Sequence, residues 1–142
     1  MAKAALGQRS VGVSGPRPHL LVVDDDPDFA ALLSAWLVDM GEVYTATTSA
    51  QALAFATAVP LDLAVVDIVL PRMDGFELVE KLRLLPGLAG MPVVFVTGSD
   101  RVDVLVRSDE LGESKVLYKP LRQEQLLQVI AGLLRPPAAP AF

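Results

Sequence analysis

The chain has 142 residues, of which 52% are hydrophobic and 20% are charged, and its formal net charge is −5. This length fits one compact domain, the apolar fraction can form a buried core, and the acidic balance argues against direct nucleic-acid binding. With no cysteine and one histidine, a disulfide framework, a cysteine nucleophile and a His/Cys zinc site are excluded. No apolar run reaches the about 20 residues of a membrane helix and no signal peptide is recognisable, so we expect a soluble cytoplasmic protein.

Both ends of the chain have the composition of flexible segments. Residues 1–18 are small and polar and contain glycine and proline, whereas 136–142 form a Pro/Ala-rich tail that cannot continue a helix. We therefore expect an N-terminal arm over 1–18, a folded domain over 19–135 and a C-terminal tail over 136–142.

Five short apolar segments, bounded by turn-forming or charged residues, have the length and composition of β-strands. The first, third and fourth are apolar almost throughout, which is typical of parallel strands that are covered on both faces. The five predicted strands are His19–Val23, Val43–Ala46, Leu61–Val66, Pro92–Val96 and Val116–Tyr118.

Segments with helical periodicity alternate with these strands. The first begins at Asp26 and Pro27, a pair that is typical of an N-cap followed by a proline in the first turn, and we expect Gly41 to end this helix. Asp28 in the first turn suits the helix dipole. The apolar stripe of this helix, which we assign to the core, comprises Phe29, Leu32, Leu33, Trp36, Leu37 and Met40.

The last helical pattern stops at Pro136, and weaker patterns cover about 49–58, 75–85 and 101–110. Five strands that alternate with five helices predict a three-layer α/β sandwich. Right-handed crossovers then place the ligand crevice at the carboxyl ends of the strands. The apolar stripe of the last helix comprises Leu126, Leu127, Ile130, Leu133 and Leu134.

Polar residues follow four of the five predicted strands, and in a parallel sheet all of these strand ends share one edge. Because clustered carboxylates repel each other, a cation is needed to stabilise them. Oxygen ligands favour a hard ion, and Mg²⁺ fits best because it binds one or two carboxylates and leaves positions for phosphate oxygens. A lysine and a threonine hydroxyl would complete a phosphoryl-binding pocket. The strand-end residues are Asp24-Asp25-Asp26, Asp67, Thr97-Gly98 and Lys119-Pro120.

These ordered motifs resemble the signature of response-regulator receiver domains of two-component signalling, over nearly the whole folded region. The resemblance implies a flavodoxin-like fold, in which a five-stranded parallel sheet of order 2-1-3-4-5 carries five helices on both faces. The matching segments are Val22-Val23-Asp24-Asp25, Asp67-Ile68-Val69-Leu70-Pro71, Met73-Asp74-Gly75, Val96-Thr97-Gly98 and Lys119-Pro120.

The resemblance also implies a role for each acidic residue. Asp67 is the phosphoacceptor, which takes a phosphoryl group from a histidine kinase or a histidine phosphotransfer protein. Asp25 binds Mg²⁺ directly and Asp24 binds it directly or through water, while Asp67 and the backbone carbonyl of Val69 are the other protein ligands. Asp26 is assigned a structural role as the N-cap on different grounds, because it directly precedes Pro27 and an apolar helical stripe.

Two further residues are expected to contact the phosphoryl group. Thr97 donates a hydrogen bond to a phosphoryl oxygen, beside the open position at Gly98. Lys119 pairs with Asp67 at rest and with the phosphoryl group afterwards, and Pro120 favours a sharp turn that often has a cis peptide. The chain is then a switch rather than an enzyme, with Mg²⁺-dependent self-phosphorylation and slow autodephosphorylation as its only chemistry.

The sequence departs from the family pattern three residues before Lys119. Receiver domains usually have an aromatic switch residue at that position, whereas this chain has Val116. Tyr118 lies on the same face of the strand and is a candidate substitute. We expect the output change to run through the loop after Thr97 and the helix over 101–110. Few residues follow Pro120, so we expect a single domain without an output domain, whose downstream target is a protein.

A second departure concerns the lifetime of the acyl phosphate. The positions two residues after Asp67 and Thr97 are Val69 and Ser99, and neither carries a charge or an amide to orient an attacking water. We therefore expect slow hydrolysis.

The residues leave two alternative functions open. One is a phosphohydrolase of the haloacid dehalogenase type with Asp24 as nucleophile and Asp26 as acid, although Asp28 stands where threonine or valine is usual and the chain has no room for a cap domain. The other is a pseudo-receiver that is never phosphorylated and serves as a scaffold, although all matching acids and Lys119 are present.

Overall fold

The computed structural model describes residues 17–98, 107, 112 and 114–134. Strands and helices alternate along the described chain, and the five predicted strands and four of the predicted helices are confirmed with ends shifted by at most a few residues. The predicted helix over 101–110 lies outside the described residues, except for Arg107, which is helical. The elements are β1 (His19–Val23), α1 (Pro27–Leu37), β2 (Glu42–Ala46), α2 (Ser49–Ala58), β3 (Leu63–Asp67), α3 (Gly75–Arg83), β4 (Val93–Thr97), β5 (Ser114–Tyr118) and α4 (Gln123–Leu134).

The five strands form one sheet of order β2-β1-β3-β4-β5, in which every neighbouring pair is parallel. This confirms the predicted flavodoxin-like order. Strands β3 and β4 are buried along their whole length because helices cover both faces of the sheet. Asp67 pairs in register with Val96, and Thr97 pairs with Tyr118, so the carboxyl ends of β3, β4 and β5 lie side by side.

Alternate residues of the strands pack into two hydrophobic cores, one on each face of the sheet. The first core includes Leu33 of α1 and Ile130 of α4. The second includes Ala52 of α2 and Phe76 of α3. The two cores bury the strands between them and leave only the sheet edges and the strand ends to carry polar groups.

Helix α1 begins as predicted and ends earlier than predicted. The side chain of Asp26 accepts hydrogen bonds from the backbone N–H groups of Asp28 and Phe29, which confirms it as the N-cap. The helix ends at Leu37, so the prediction that Gly41 stops it is wrong. A glycine is needed there for a different reason, since a Cβ at Gly41 would lie 2.3 Å from the carbonyl oxygen of Pro18.

The assignment of the whole α1 stripe to the core is also wrong at one residue. Leu32 is 44% exposed, whereas Leu33 and Leu37 are buried. Trp36 and Met40 are partly buried and pack against the core formed with α4. The stripe is therefore narrower than its sequence pattern, because the side of α1 at Leu32 has no described element packed over it.

The last two residues of the predicted N-terminal arm contact the folded domain. The guanidinium of Arg17 donates to the carbonyls of Val38 and Gly41, which follow α1. The carbonyl of Pro18 accepts a hydrogen bond from the N–H of Glu42. The rest of that arm and the predicted tail lie outside the described residues. In the part of the chain that the structure describes, none of the helices combines the length and the hydropathy of a membrane span.

Candidate functional site

Three carboxylates meet at the carboxyl edge of the sheet. Asp24 and Asp25 follow β1, and Asp67 is the last residue of the neighbouring strand β3. One oxygen from each of the three side chains lies within 4.8 Å of the others. Asp24 and Asp67 are buried, while Asp25 is exposed. The cluster therefore has a buried side and an open side, and the predicted convergence of these residues is confirmed.

The ammonium of Lys119 lies between the two buried carboxylates. Its Nζ is 3.5 Å from an oxygen of Asp24 and 3.4 Å from an oxygen of Asp67. Both distances exceed the about 2.7–2.9 Å of a strong charge-assisted hydrogen bond, so the ammonium is not bound tightly to either carboxylate. The backbone N–H of Lys119 donates to the carbonyl of Thr97, and the Lys119–Pro120 peptide is cis.

Burial and neighbouring charges shift the pKa values of Asp67 and Lys119. Burial raises the pKa of Asp67 above its ordinary value and nearby Asp24 raises it further, while the N–H of Val69 and the ammonium of Lys119 lower it without reversing the shift. Burial lowers the pKa of Lys119, but the carboxylates of Asp67 and Asp24 together raise it above its ordinary value. Lys119 is therefore a cation at neutral pH. A further cation near Asp67 would stabilise the charged form of its carboxylate.

The start of α3 packs directly on the backbone of Asp67. The N–H of Gly75 donates to the carbonyl of Ile68 at 2.8 Å. A Cβ at Gly75 would lie 2.4 Å from the carbonyl oxygen of Asp67 and 2.9 Å from Cα of Ile68. In the loop between, the N–H of Val69 donates to the Asp67 carboxylate at 3.0 Å. These contacts fix the backbone at the end of β3. The sequence motif did not reveal this role of Gly75.

The other predicted site residues lie at the same edge. Thr97 is fully buried at the end of β4. Among the described residues, no atom would lie within 4 Å of a Cβ at Gly98. Val69 is 68% exposed as a residue, and its carbonyl as a metal ligand stays a prediction. Ser99 lies outside the described residues.

Phe29 contacts the site, although its sequence pattern had assigned it to the core alone. The Nζ of Lys119 lies 4.5 Å from the centroid of the Phe29 ring, within the range of a cation–π interaction. The ring is partly buried and packs against the core formed by α1 and α4. The one signal in the sequence is the position of Phe29 in the first turn of a helix that starts directly after Asp24 and Asp25.

A second contact missed by sequence reasoning joins Arg107 to the start of α3. The Arg107 guanidinium lies 3.1 Å from a carboxylate oxygen of Asp74 and its central carbon lies 4.3 Å from the centroid of the Phe76 ring. Asp74 is the N-cap of α3 and forms a capping box with Glu77. The 101–110 segment thus contacts, through its described residue, the helix start that packs on Asp67.

Residues 116 and 118 of β5 occupy different environments. Val116 pairs in register with Phe95 and packs against the core formed by α2 and α3. Tyr118 pairs with Thr97 and is partly buried. Tyr118 therefore ends its strand beside Thr97, while its part in any switch stays a prediction.

The geometry of Asp26 bears on the phosphohydrolase alternative. One oxygen of Asp26 accepts from the backbone N–H groups at the start of α1, and its own N–H donates to Asp24 at 2.9 Å. Asp26 is exposed and serves the helix rather than the carboxylate cluster. This placement does not favour a general acid that works with an Asp24 nucleophile.

Comparison with known proteins agrees with this arrangement. Residues 20–131 match the family model described as response regulator receiver domain. The transcriptional regulatory protein PrrA of Mycobacterium leprae is 39% identical over 125 residues, which are 87% of this chain and 52% of PrrA. The chain spans about half the length of several curated relatives that it matches.

Two solved structures share the fold over most of their length. The chemotaxis protein CheY4 of Vibrio cholerae superposes with a TM-score of 0.78 at 29% identity, over 83% of this chain and 99% of CheY4. A CheY-like receiver domain protein of Methanospirillum hungatei gives a TM-score of 0.76 at 33% identity, over 83% of this chain and 94% of that protein.

Proposed function

Because this chain belongs to the response regulator receiver domain family, we propose that it carries a phosphoryl group on Asp67 and thereby switches its contacts with a protein partner. The observation that supports this most directly is the cluster of Asp24, Asp25 and Asp67 at one sheet edge, with the ammonium of Lys119 between the two buried acids. A cluster of this kind can hold a divalent cation and a phosphoryl group together.

Receiver domains bind Mg²⁺ through acidic residues, and the donor set of this site fits that ion. All donors are oxygens, and the exposed side chain of Asp25 leaves one side of the cluster open to solvent and substrate. We assign Asp24, Asp25, Asp67 and the carbonyl of Val69 as the ligands. When bound, Mg²⁺ neutralises negative charge on the carboxylates and on the transferred group.

Receiver domains of response regulators receive their phosphoryl group from histidine kinases. In the step proposed here, a carboxylate oxygen of Asp67 attacks the phosphorus of a phosphohistidine, so that a P–O bond forms as the P–N bond breaks. The imidazole nitrogen leaves with the electron pair and takes up a proton. Lys119 and the hydroxyl of Thr97 donate hydrogen bonds to the phosphoryl oxygens. No independent substrate is turned over, so the chain acts as a switch.

The test is the mass of the intact protein after incubation with acetyl phosphate and Mg²⁺. We expect a gain of one phosphoryl group that is abolished by EDTA and by Asp67→Asn. Asp39→Asn, which changes an exposed carboxylate beyond the far end of α1, is the matched control and should be labelled like the wild type. Labelling that survives Asp67→Asn but not Asp24→Asn would instead support the phosphohydrolase alternative.

A further inference from the structure

We propose that Phe29 is a positioning residue for Lys119, because its ring holds the ammonium at a point from which it can reach a phosphoryl group on Asp67. The inference rests on the proposed phosphorylation of Asp67. It gives a functional role to a residue whose helical spacing alone indicates only a place in the core.

The ammonium of Lys119 has three described contacts. The Nζ of Lys119 lies 3.4 Å from Asp67, 3.5 Å from Asp24 and 4.5 Å from the centroid of the Phe29 ring. Neither carboxylate is close enough for a strong charge-assisted hydrogen bond. The attraction of the ring for a cation is weaker than the pull of each acid, but it adds to that pull and contributes to where the ammonium rests.

An aromatic ring suits this position better than a third polar group. The ammonium has three N–H donors, and a ring face attracts the charge without requiring any one of them to point at an acceptor atom. A further carboxylate would add negative charge to a site where Asp24 already raises the pKa of Asp67. A leucine would fill the same space without attracting the cation. The ring thus restrains Lys119 and leaves its donors available for phosphoryl oxygens.

The ring itself is held in place by the fold. Phe29 lies in the first turn of α1, where its N–H donates to the N-cap Asp26, and its side chain packs against the core formed with α4. Lys119, by contrast, has a flexible four-carbon stem and a side chain that is 32% exposed. The rigid partner therefore positions the flexible one, and the helix start that follows Asp24 sets the position of the ring relative to that carboxylate.

The test compares Phe29→Leu, which removes the ring face but keeps an apolar side chain, with Phe29→Tyr, which keeps the ring. Trp36→Leu is the matched control, because Trp36 is an aromatic residue of the same helix that packs against the same core. Two quantities are measured: the second-order rate constant for labelling by acetyl phosphate at saturating Mg²⁺, and the ring-current displacement of the Lys119 Hε protons in NMR spectra.

For Phe29→Leu we expect the second-order rate constant for labelling to fall about fivefold, the effect of losing one partly exposed cation–π contact, together with loss of the Hε displacement. Phe29→Tyr and Trp36→Leu should stay within about twofold of the wild type, even where thermal stability falls. Equal slowing by Phe29→Leu and Trp36→Leu would show that the ring acts only through packing and would overturn the proposal.

The proposed function and the positioning role can fail separately. If the wild type shows the Hε displacement but takes no label, the phosphorylation of Asp67 is wrong, and the reaction role of Phe29 falls with it. If the wild type takes label on Asp67 but shows no Hε displacement, only the role of Phe29 is overturned.

Discussion

A single methyl group added at Gly75 should damage both the stability of the domain and the chemistry of Asp67. The new Cβ would lie 2.4 Å from the Asp67 carbonyl oxygen and 2.9 Å from Cα of Ile68. Both atoms belong to the backbone, so no side-chain rotation can relieve the overlap. Either the start of α3 moves away from β3, or the end of β3 is displaced.

The size of the effect follows from these distances. A carbon normally stays about 3.3 Å or more from a carbonyl oxygen, so the Gly75→Ala variant requires a shift of about 1 Å. Overpacking of this kind costs about 1–3 kcal/mol, and the backbone character of the contacts places Gly75→Ala near the upper end. We expect the melting temperature to fall by about 10 °C. A shift of about 1 Å at the reacting carboxylate should also slow labelling by about tenfold to a hundredfold.

Two assays separate these effects. Thermal unfolding measures stability, and the rate of labelling by acetyl phosphate is measured well below the melting temperature of the variant. Gly90→Ala is the control, because a Cβ at Gly90 would meet no described atom within 4 Å, and its melting temperature should stay within about 2 °C of the wild type. A Gly75→Ala protein that melts and labels like Gly90→Ala would refute the packing argument. Lower stability with normal labelling would show that α3 moves and Asp67 does not.

Three other outcomes are expected. Without divalent ions at pH 7, Asp67→Asn should be more stable than the wild type, because burial and Asp24 raise the pKa of Asp67 and make its charge costly. This difference in unfolding free energy should shrink as the pH falls through that raised pKa, and urea unfolding that shows a growing difference at low pH would contradict the reasoning. Mg²⁺ at about ten times its Kd should raise the unfolding free energy of the wild type by about 1.4 kcal/mol. The acyl phosphate should be hydrolysed about fivefold faster in Val69→Asn than in the wild type, the effect of one hydrogen bond to the attacking water, as followed by loss of the mass gain; equal lifetimes would disprove it. Gly41→Asn should destabilise the domain by at least about 1 kcal/mol in urea unfolding, because its Cβ meets the Pro18 carbonyl; a neutral effect would contradict this packing argument.

Much of the site could be predicted because its geometry follows from strand order. Each apolar run ends where polar residues begin, and parallel strands bring those ends to one edge. Asp24 and Asp67 therefore lie together, with Lys119 between them, although they are far apart in the chain. Asp26 was equally predictable, because an N-cap depends only on the few residues that follow it.

Other features depend on contacts between elements, which local patterns do not encode. The periodicity that places Phe29 on the core face of α1 does not reveal that its ring lies against the ammonium of Lys119, which follows β5. The position of Gly41 in the sequence is typical of a helix stop, but a glycine is required there because the Pro18 carbonyl lies too close for a Cβ. Leu32 continues the apolar stripe in sequence and is exposed in the structure.

The sequence by itself determined the alternation of strands and helices, the identity of the acidic residues and the edge at which they converge, because strand and helix periods and strand-end positions are local properties of the chain. The tertiary structure alone decided which carboxylates are buried, what surrounds Lys119, and why Gly75 must lack a side chain. Those features are distances between atoms of different elements, and they depend on the register of the sheet and on how closely each helix packs against it.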